Sequence, residues 1–336
     1  MYPRKAHPET VAVTGATGFL GRALCIRLQS MGVAVKAAAR TPSEGPWSTF
    51  VPLDLPHSVP PDLFAGVSAV YHLAGLAHAI TAEGDAQRYE EVNASGTSEL
   101  ARRAKAAGIR RFVFMSSVKA LGEPGPNLVR EDQESSATDP YGRSKRMGEV
   151  AALSMHTNDF QVVVLRPTLV YGPGAKGNLE SLLRFVRRGR RPPLPVLKNR
   201  RSLVGVNDLT TATVLVGSHP QAGGRAYTVT DGRVYSTTDI IDALAAAVGV
   251  TRPAPFALPV PLLRAAAVAG DLARFVTAGR WPYGSAALER LLSNAEYEAR
   301  DLAQVVGFEP KESLFDLAGP MLRASARSGH DLALPR

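Results

Sequence analysis

The chain has 336 residues, 45% hydrophobic and 21% charged, an ordinary balance for a globular protein whose core can be large enough to need no covalent staples. Its single cysteine, Cys25, excludes an intramolecular disulfide framework and fits a reducing compartment. Lysine and arginine outnumber aspartate and glutamate by 39 to 30, a formal charge of +9, which favours anionic partners. That charge is not interleaved with an aromatic platform, so no nucleic-acid role is expected. Residues 1–10 are polar and proline-containing, unlike a secretory leader. The apolar stretch 262–276 is interrupted by Arg264, Asp271 and Arg274, so no membrane span is expected, and the default location is cytoplasmic.

In chain order, residues 11–14 read as a β-strand that runs into Thr14-Gly15-Ala16-Thr17-Gly18-Phe19-Leu20-Gly21, and 20–30 have apolar residues at helical spacing. Cys25 falls in that pattern and is expected to be a buried, inert thiol. Gly15 suits a tight turn, Gly18 lets backbone approach a pyrophosphate, and Gly21 lets the helix pack on the sheet. Free amides and the positive dipole at the helix N-terminus favour phosphate. Placed between the first strand and the first helix, the turn that includes Thr17, Phe19 and Leu20 is a dinucleotide-binding signature.

A second strand, 33–38, ends in Ala39-Arg40. A carboxylate for the ribose 2′-OH of NAD usually stands here; with Ala39 in its place and Arg40 following, a 2′-phosphate is not repelled and can be paired. NADP(H) is therefore expected over NAD(H). Asp54, next to Leu55, either accepts from the adenine amino group or is an ordinary turn aspartate.

Strands at 67–73, 112–116 and 162–166 alternate with helical patterns at 89–107 and 141–156. Such alternation implies parallel pairing with crossover helices, a Rossmann-like, doubly wound α/β fold. His72, on an apolar strand, is expected to be a satisfied core histidine. Ser117 ends the fourth strand at the carboxyl edge of the sheet, where ligands bind. Tyr141 and Lys145 share a helix face at i and i+4. A nearby ammonium moves a phenol from its usual pKa near 10 towards the working pH. Ser117, Tyr141 and Lys145 together form an oxidoreductase set, with Ser117 holding a carbonyl oxygen and Tyr141 protonating it.

After Arg166 the texture changes to proline- and glycine-rich loops, one further strand at 227–230, and a largely helical tail. The expected organisation is a dinucleotide-binding domain over 1–167, completed by about 204–231, with a smaller, mostly α-helical substrate lobe from 168–203 and 232–336. From Arg184 to Arg201 there are eight basic residues and no acidic one, either a solvated face with a loop or a source of phosphate ligands. No metal-ligand spacing is present.

With these motifs in view, the sequence resembles the extended short-chain dehydrogenases that act on nucleotide sugars, a group containing UDP-hexose 4-epimerases and sugar-nucleotide dehydratases. The likeness covers roughly 11–232 and includes Tyr71-His72-Leu73-Ala74-Gly75, Val92-Asn93-Ala94-Ser95-Gly96-Thr97 and Leu165-Arg166-Pro167-Thr168-Leu169-Val170-Tyr171-Gly172-Pro173. Weaker agreement recurs in Val306-Gly307-Phe308. The resemblance implies that Leu73, Ala74, Gly75, Ser116, Arg166, Pro167 and Val170 lie at the cofactor together with Asp54, Leu55, Tyr141 and Lys145. It implies that Asn93 supports the sheet and the active site. Arg201 matches an arginine on the nucleotide pyrophosphate, although Ser202-Leu203 stands where Asp-Tyr usually follows, and Asn178 matches the asparagine opening the substrate-binding helix. Lys119 lines the sugar pocket or is a surface lysine; His78 lines it or makes a structural polar contact.

The runs His72-Leu73-Ala74-Gly75-Leu76-Ala77-His78, Ser116-Ser117-Val118-Lys119 with Gly122-Glu123, and Lys198-Asn199-Arg200-Arg201-Ser202-Leu203 resemble one subgroup, the reductases of UDP-2-acetamido-2,6-dideoxy-hexos-4-uloses that form UDP-QuiNAc or UDP-FucNAc. Ala120-Leu121 departs from that subgroup, which bears on the identity of the sugar. The resemblance therefore implies NADPH-dependent reduction of a UDP-linked 4-keto sugar and is compatible with a homodimer. The alternatives are a 4-epimerase and a non-catalytic NADP-binding sensor; the intact Ser117, Tyr141 and Lys145 set argues against the sensor.

Overall fold

The computed structural model describes residues 10–77, 85–122, 125–175, 177–189, 191–250, 257–276 and 284–327. Strand β1 (Thr10–Thr14) passes through the Gly-rich turn into α1 (Phe19–Ser30), then β2 (Ala34–Ala39), β3 (Thr49–Pro52) and β4 (Ala69–His72). A helical segment follows in three parts: α2 (Asp85–Tyr89), a π-helical stretch (Glu90–Ser95) and α3 (Gly96–Ala106). Next come β5 (Arg111–Met115), α4 (Pro140–Leu153), β6 (Gln161–Pro167), β7 (Leu169–Tyr171) and α5 (Asn178–Arg187). Then follow β8 (Arg201–Gly205), α6 (Val206–Ser218), β9 (Arg225–Val229) and β10 (Val234–Tyr235). The remaining helices are α7 (Thr237–Ala247), α8 (Val260–Val276), α9 (Ser285–Leu292), α10 (Asp301–Val306) and α11 (Leu314–Arg327).

Seven strands form one parallel sheet in the order β3-β2-β1-β4-β5-β6-β9. From β1 the chain winds outwards to β3, then returns to the other side of β1 at β4. This reversal opens the crevice at the carboxyl ends of β1 and β4 in which ligands of doubly wound sheets bind. The inner strands are buried on both faces, which explains their nearly continuous apolar runs. Leu24, Cys25 and Leu28 of α1 pack with Leu209, Ala212 and Val216 of α6 on one side. Leu100, Ala101 and Ala104 of α3 pack with Ala152 of α4 on the other. The fold is the expected Rossmann-like α/β architecture.

The chain does return to complete the sheet: α6 crosses over and β9 pairs with β6, in register Val163↔Arg225 to Pro167↔Val229. A second, three-stranded sheet in the order β10-β8-β7 was not expected. Its strands β7 and β10 are three and two residues long, too short for an alternation pattern. They carry Tyr171 and Tyr235 into a separate core with Leu179 and Leu183 of α5, Leu244 of α7 and Leu317 of α11.

Two helices differ from their expected bounds. The 89–107 pattern begins earlier, at Asp85, and is interrupted by the π-helical stretch, where the Asn93 carbonyl accepts the Thr97 hydroxyl at 2.7 Å. Helix α4 stops at Leu153 because His156 leaves the helix to accept from the Val162 amide through Nδ1 at 3.1 Å.

Cys25 lies in the core, where burial pushes its thiol up to about 12. A thiol reagent at mildly alkaline pH should therefore label the folded protein at least about a hundredfold more slowly than the guanidinium-unfolded chain, because the thiolate is the nucleophile. Comparable rates in the two states would contradict this burial.

Candidate active site

The Gly-rich turn is closed by backbone packing. Gly15 has φ +67, and a Cβ there would lie 2.7 Å from the Ala74 nitrogen and 2.8 Å from the Leu73 carbonyl carbon. A Cβ on Gly21 would overlap the Gly15 carbonyl oxygen. The Gly18 amide donates to Gly15 O at 3.0 Å, and Gly18 caps α1 without a side-chain hydrogen bond. The first turn of α1 holds no acidic residue, so its amides keep their attraction for an anion. Thr17 and Gly18 are exposed, while Phe19 and Leu20 are half-buried. Leu73 and Ala74 are half-buried and Gly75 is exposed, on the segment following β4. The Ser116 hydroxyl is buried and has no protein partner. A cradle that any Cβ would fill, with an orphaned hydroxyl at the next strand end, fits a dinucleotide.

At the adjoining sheet edge Ala39 is buried and Arg40 is exposed. Asp54 is also exposed; its backbone pairs with Ser58, N to O at 3.2 Å and O to N at 2.7 Å. Leu55 is buried against Gly96. Pro167 ends β6, and Val170 of β7 packs half-buried on the main core.

Asp139 starts α4 by accepting the Gly142 amide at 3.0 Å, with Pro140 at the first helical position. This start places Tyr141 and Lys145 one turn apart. The Ser117 hydroxyl accepts from the Lys119 amide at 3.3 Å and lies close enough to the Tyr141 phenol to favour its ionised form. Lys145 Nζ donates to Met115 O at 3.0 Å and lies 4.9 Å from the centre of the Phe114 ring. A Cβ on Gly75 would lie 3.1 Å from that nitrogen. The structure thus gathers Ser117, Tyr141 and Lys145 at the carboxyl end of β5, beside the segment leaving β4.

Burial pushes the Tyr141 phenol up to about 12, against the lowering effect of Ser117. Burial likewise pushes Lys145 down to about 8, while Glu149 opposes the shift. Near neutral pH the phenol therefore holds its proton, the state required of an acid that protonates a carbonyl oxygen.

Arg166, expected at the cofactor, has a different commitment. Its guanidinium makes a buried two-point pair with Glu149, Nε at 2.8 Å and Nη2 at 2.7 Å. Glu149 also accepts from Arg146 at 3.1 Å. Removing Arg166 would leave a buried carboxylate with only Arg146, so the pair fixes the core beneath α4, and the Arg166 side chain leaves the set of cofactor ligands.

Arg201 is also engaged within the protein: Nη1 donates to the carbonyls of Arg290 at 2.6 Å and Ser293 at 3.1 Å, and burial lowers its pKa. Much of the described basic run is similarly tied down, with Arg187 on Ser325 Oγ at 3.1 Å, Arg191 on Asp242 at 2.8 Å and Arg200 on Glu296 at 2.6 Å. Lys119 sits half-buried in a short 3-10 turn after Ser117. Asn178 opens α5, and His78 lies outside the described residues.

Asn93 lies beside the site, in keeping with the supporting role the resemblance implies, but its partners are not marked in the sequence. Asn93 Nδ2 donates to Ser144 Oγ at 3.0 Å and to Leu76 O at 2.9 Å, and Asn93 Oδ1 accepts the Leu76 amide at 2.8 Å. Ser144 stands between Tyr141 and Lys145 in sequence, yet nothing local signals its partner 51 residues away. Tyr89 packs on Tyr141 with ring centres 5.7 Å apart.

His72 is the satisfied core histidine expected of it, bonded to Thr14 Oγ1 at 2.7 Å and Thr97 Oγ1 at 3.0 Å. Burial, aided by Lys145, pushes it down from 6.5 to about 3. The unfolded chain protonates it near 6.5, so between these values the unfolded state binds one more proton and stability falls as pH falls. Urea unfolding across that window should show an extra loss of up to about 1.4 kcal/mol per pH unit in the wild type relative to His72→Gln. Equal slopes would remove His72 as the source. Tyr141→Phe should fold, bind cofactor normally and lose about 10²–10⁴ in turnover, because only the proton donor is removed. Retention of more than about a tenth of wild-type turnover would reassign that role.

Among the described residues, no helix is long and apolar enough to cross a membrane, and no group of three or more His, Cys, Asp or Glu residues could hold a metal ion. In sequence the chain is 34% identical over 268 residues to a UDP-glucose 4-epimerase of Vibrio cholerae, covering 76% of this chain and 80% of that protein. It is 31% identical over 260 residues to a ceramide reductase of Caulobacter vibrioides, covering 75% and 74%. In fold it matches the structure of MoeE5 in complex with UDP-glucose and NAD, with a TM-score of 0.75 at 23% identity over 95% of this chain and 99% of that one. The profile of the NAD dependent epimerase/dehydratase family matches residues 11–230, from β1 through the end of the parallel sheet, and the chain belongs to that family.

Proposed function

We propose that the protein is an NADPH-dependent reductase of the C4 ketone of a UDP-linked 4-keto-6-deoxy-N-acetylhexosamine. The observation that carries this reading is the end of β2, where the buried methyl of Ala39 and the exposed guanidinium of Arg40 replace a ribose-binding carboxylate. This favours a cofactor bearing a 2′-phosphate, which suits net reduction better than a retained cofactor that returns its hydride to the same sugar.

When bound, the reduced nicotinamide supplies the hydride. Ser117 holds the C4 oxygen, and Tyr141, protonated at neutral pH, delivers its phenolic proton to that oxygen. Lys145 sets the local positive charge that stabilises the resulting phenolate. Gly15, Thr17, Gly18, Phe19, Leu20 and Gly21 would hold the pyrophosphate, Arg40 the 2′-phosphate, and Leu73, Ala74, Gly75 and Ser116 the nicotinamide half. On the substrate side, Lys119, Asn178 and the part of the Arg201 guanidinium beyond its committed Nη1 would take the sugar nucleotide. The likeness to a ceramide reductase supports net ketone reduction among relatives of this chain. A second reading, UDP-hexose 4-epimerase, is favoured by the 34% identity to the Vibrio cholerae protein.

The discriminating experiment supplies UDP-GlcNAc, UDP-glucose and the UDP-4-keto-6-deoxy-GlcNAc product of a 4,6-dehydratase, each with NADPH or NADH. Stoichiometric NADPH oxidation with the keto sugar alone is expected, and Arg40→Ala should lower kcat/KM for NADPH about tenfold or more while sparing NADH. Interconversion of UDP-GlcNAc and UDP-GalNAc without net cofactor oxidation would establish the epimerase instead.

A further inference from the structure

His72 lies below the catalytic groups, and its hydrogen bonds have only one self-consistent direction. Ala74 N donates to Thr14 Oγ1 at 3.2 Å, and Thr97 Oγ1 donates its proton to Asn93 O at 2.7 Å. Thr97 can therefore only accept from the histidine, which places the imidazole proton on Nε2, 3.0 Å away. Nδ1 is then the acceptor for the Thr14 hydroxyl at 2.7 Å. The opposite tautomer would leave the Thr14 proton without an acceptor. One uninterrupted relay thus runs from the segment leaving β4, through Thr14 and His72, to Thr97 and the carbonyl of Asn93. Thr14, His72, Asn93 and Thr97 are all fully buried.

Asn93 extends the relay to the catalytic helix. Its amide grips both peptide groups of Leu76 and donates to Ser144 Oγ, which donates to Tyr141 O at 2.8 Å. The α-carbon of Gly75 sits where an added Cβ would be 2.8 Å from Asn93 Oδ1 and 3.1 Å from Lys145 Nζ. His72 also stacks on Phe114, ring centres 5.3 Å apart, and Phe114 is the ring beneath the Lys145 ammonium. A protonated His72 would put a second cation against that ring and leave Thr14 without its acceptor.

We propose that His72 is a positioning residue for the hydride-transfer site: as a neutral Nε2–H imidazole it locks the exit of the Gly-rich strand to Asn93, and so sets the spacing of Gly75, Lys145 and Tyr141. The proposal rests on the Ser117, Tyr141 and Lys145 reading of the site but not on the identity of the substrate. Its two ends also differ in kind, one a cofactor-side backbone segment and the other the start of the acid-bearing helix. Loss of His72 should therefore disturb proton transfer more than substrate binding.

The test uses the full chain loaded with NADP⁺ and compares wild type, His72→Phe, His72→Gln and Thr97→Val. The primary readout is the Lys145 pKa, followed by carbon-13 NMR of lysine labelled at the ε-carbon, with the matching Lys145→Met protein identifying its signal. Glu149 beyond Lys145, and Tyr89 and Asp139 beside Tyr141, are unchanged in every variant. His72→Phe, which keeps the ring but loses both polar edges, should move the Lys145 pKa from about 8 back towards 10.5, by about one unit or more, as the ammonium leaves its buried place on Met115 O. Thr97→Val should act in the same direction, and His72→Gln should recover part of the shift. With a turned-over ketone, kcat should fall about ten- to a hundredfold while KM for the sugar nucleotide stays within about twofold. Lower thermal stability with unchanged Lys145 titration in His72→Phe and Thr97→Val would overturn the proposal and leave His72 purely structural. Should His72→Phe fail to fold, Thr97→Val alone decides. Failure of every keto sugar as a substrate would defeat the proposed function while leaving the Lys145 titration to decide on His72.

Discussion

The site depends on one close approach of backbone to backbone. At Gly15 the chain leaving β1 lies against the segment leaving β4, with room for a hydrogen but not for a methyl group. That contact draws together the two strand ends flanking the point where the winding of the sheet reverses. It also aims the uncapped start of α1 across the crevice. A side chain at Gly15 would have to displace the Leu73–Ala74 peptide, and with it Gly75, whose α-carbon borders Lys145 Nζ. The proposed phosphate cradle and the place of the Lys145 ammonium are therefore two consequences of one packing constraint.

Around that contact the protein holds the Lys145 ammonium in a state that burial disfavours. Moving Lys145 from 10.5 to about 8 corresponds to roughly 3 kcal/mol of preference for the neutral amine. Below pH 8 the ammonium is retained in both folded and unfolded chains and the full penalty applies; above it the folded protein sheds the proton first, and the penalty fades as pH rises towards 10.5. Glu149 opposes the shift, and Arg166 together with Arg146 keeps that carboxylate in place. The buried pair beneath α4 thus acts on the chemistry indirectly, by sustaining a charge that the pocket alone would expel. This gives Arg166 a physical role distinct from the cofactor contact that its motif implied.

Legibility in the sequence followed the range of the interaction. Gly15, Gly18 and Gly21, and the Tyr141–Lys145 pair, are contiguous signals whose spacing is set by one turn or one helix, and the structure places them together. Their partners are reached through tertiary contacts: Ser144 meets Asn93 across 51 residues, and His72 meets Thr14 across 58. No local period encodes such pairs. The short strands β7 and β10 escaped notice for a related reason, since each is stabilised by its neighbour β8 and by the Tyr171 and Tyr235 hydroxyls converging on Asp231 at 2.9 and 2.8 Å. The Arg201 resemblance was local too, whereas the contact that occupies Nη1 comes from the far end of α9.

These distances also separate two properties that a motif reading tends to merge. A set such as Ser117, Tyr141 and Lys145 is suited to proton movement at a carbon bearing oxygen, and the same set can serve reduction, oxidation or both in succession. Nothing in their mutual geometry selects among these outcomes. On the proposed reading, selection lies elsewhere, at the end of β2, where Ala39 is buried and Arg40 is exposed. A charge there would act on the cofactor's adenosine end, remote from the hydride, and would change which pool of nicotinamide the site draws on. Direction of reaction would then be a binding property of one strand end, while the helix bearing Tyr141 and Lys145 and its buried supports remain the same.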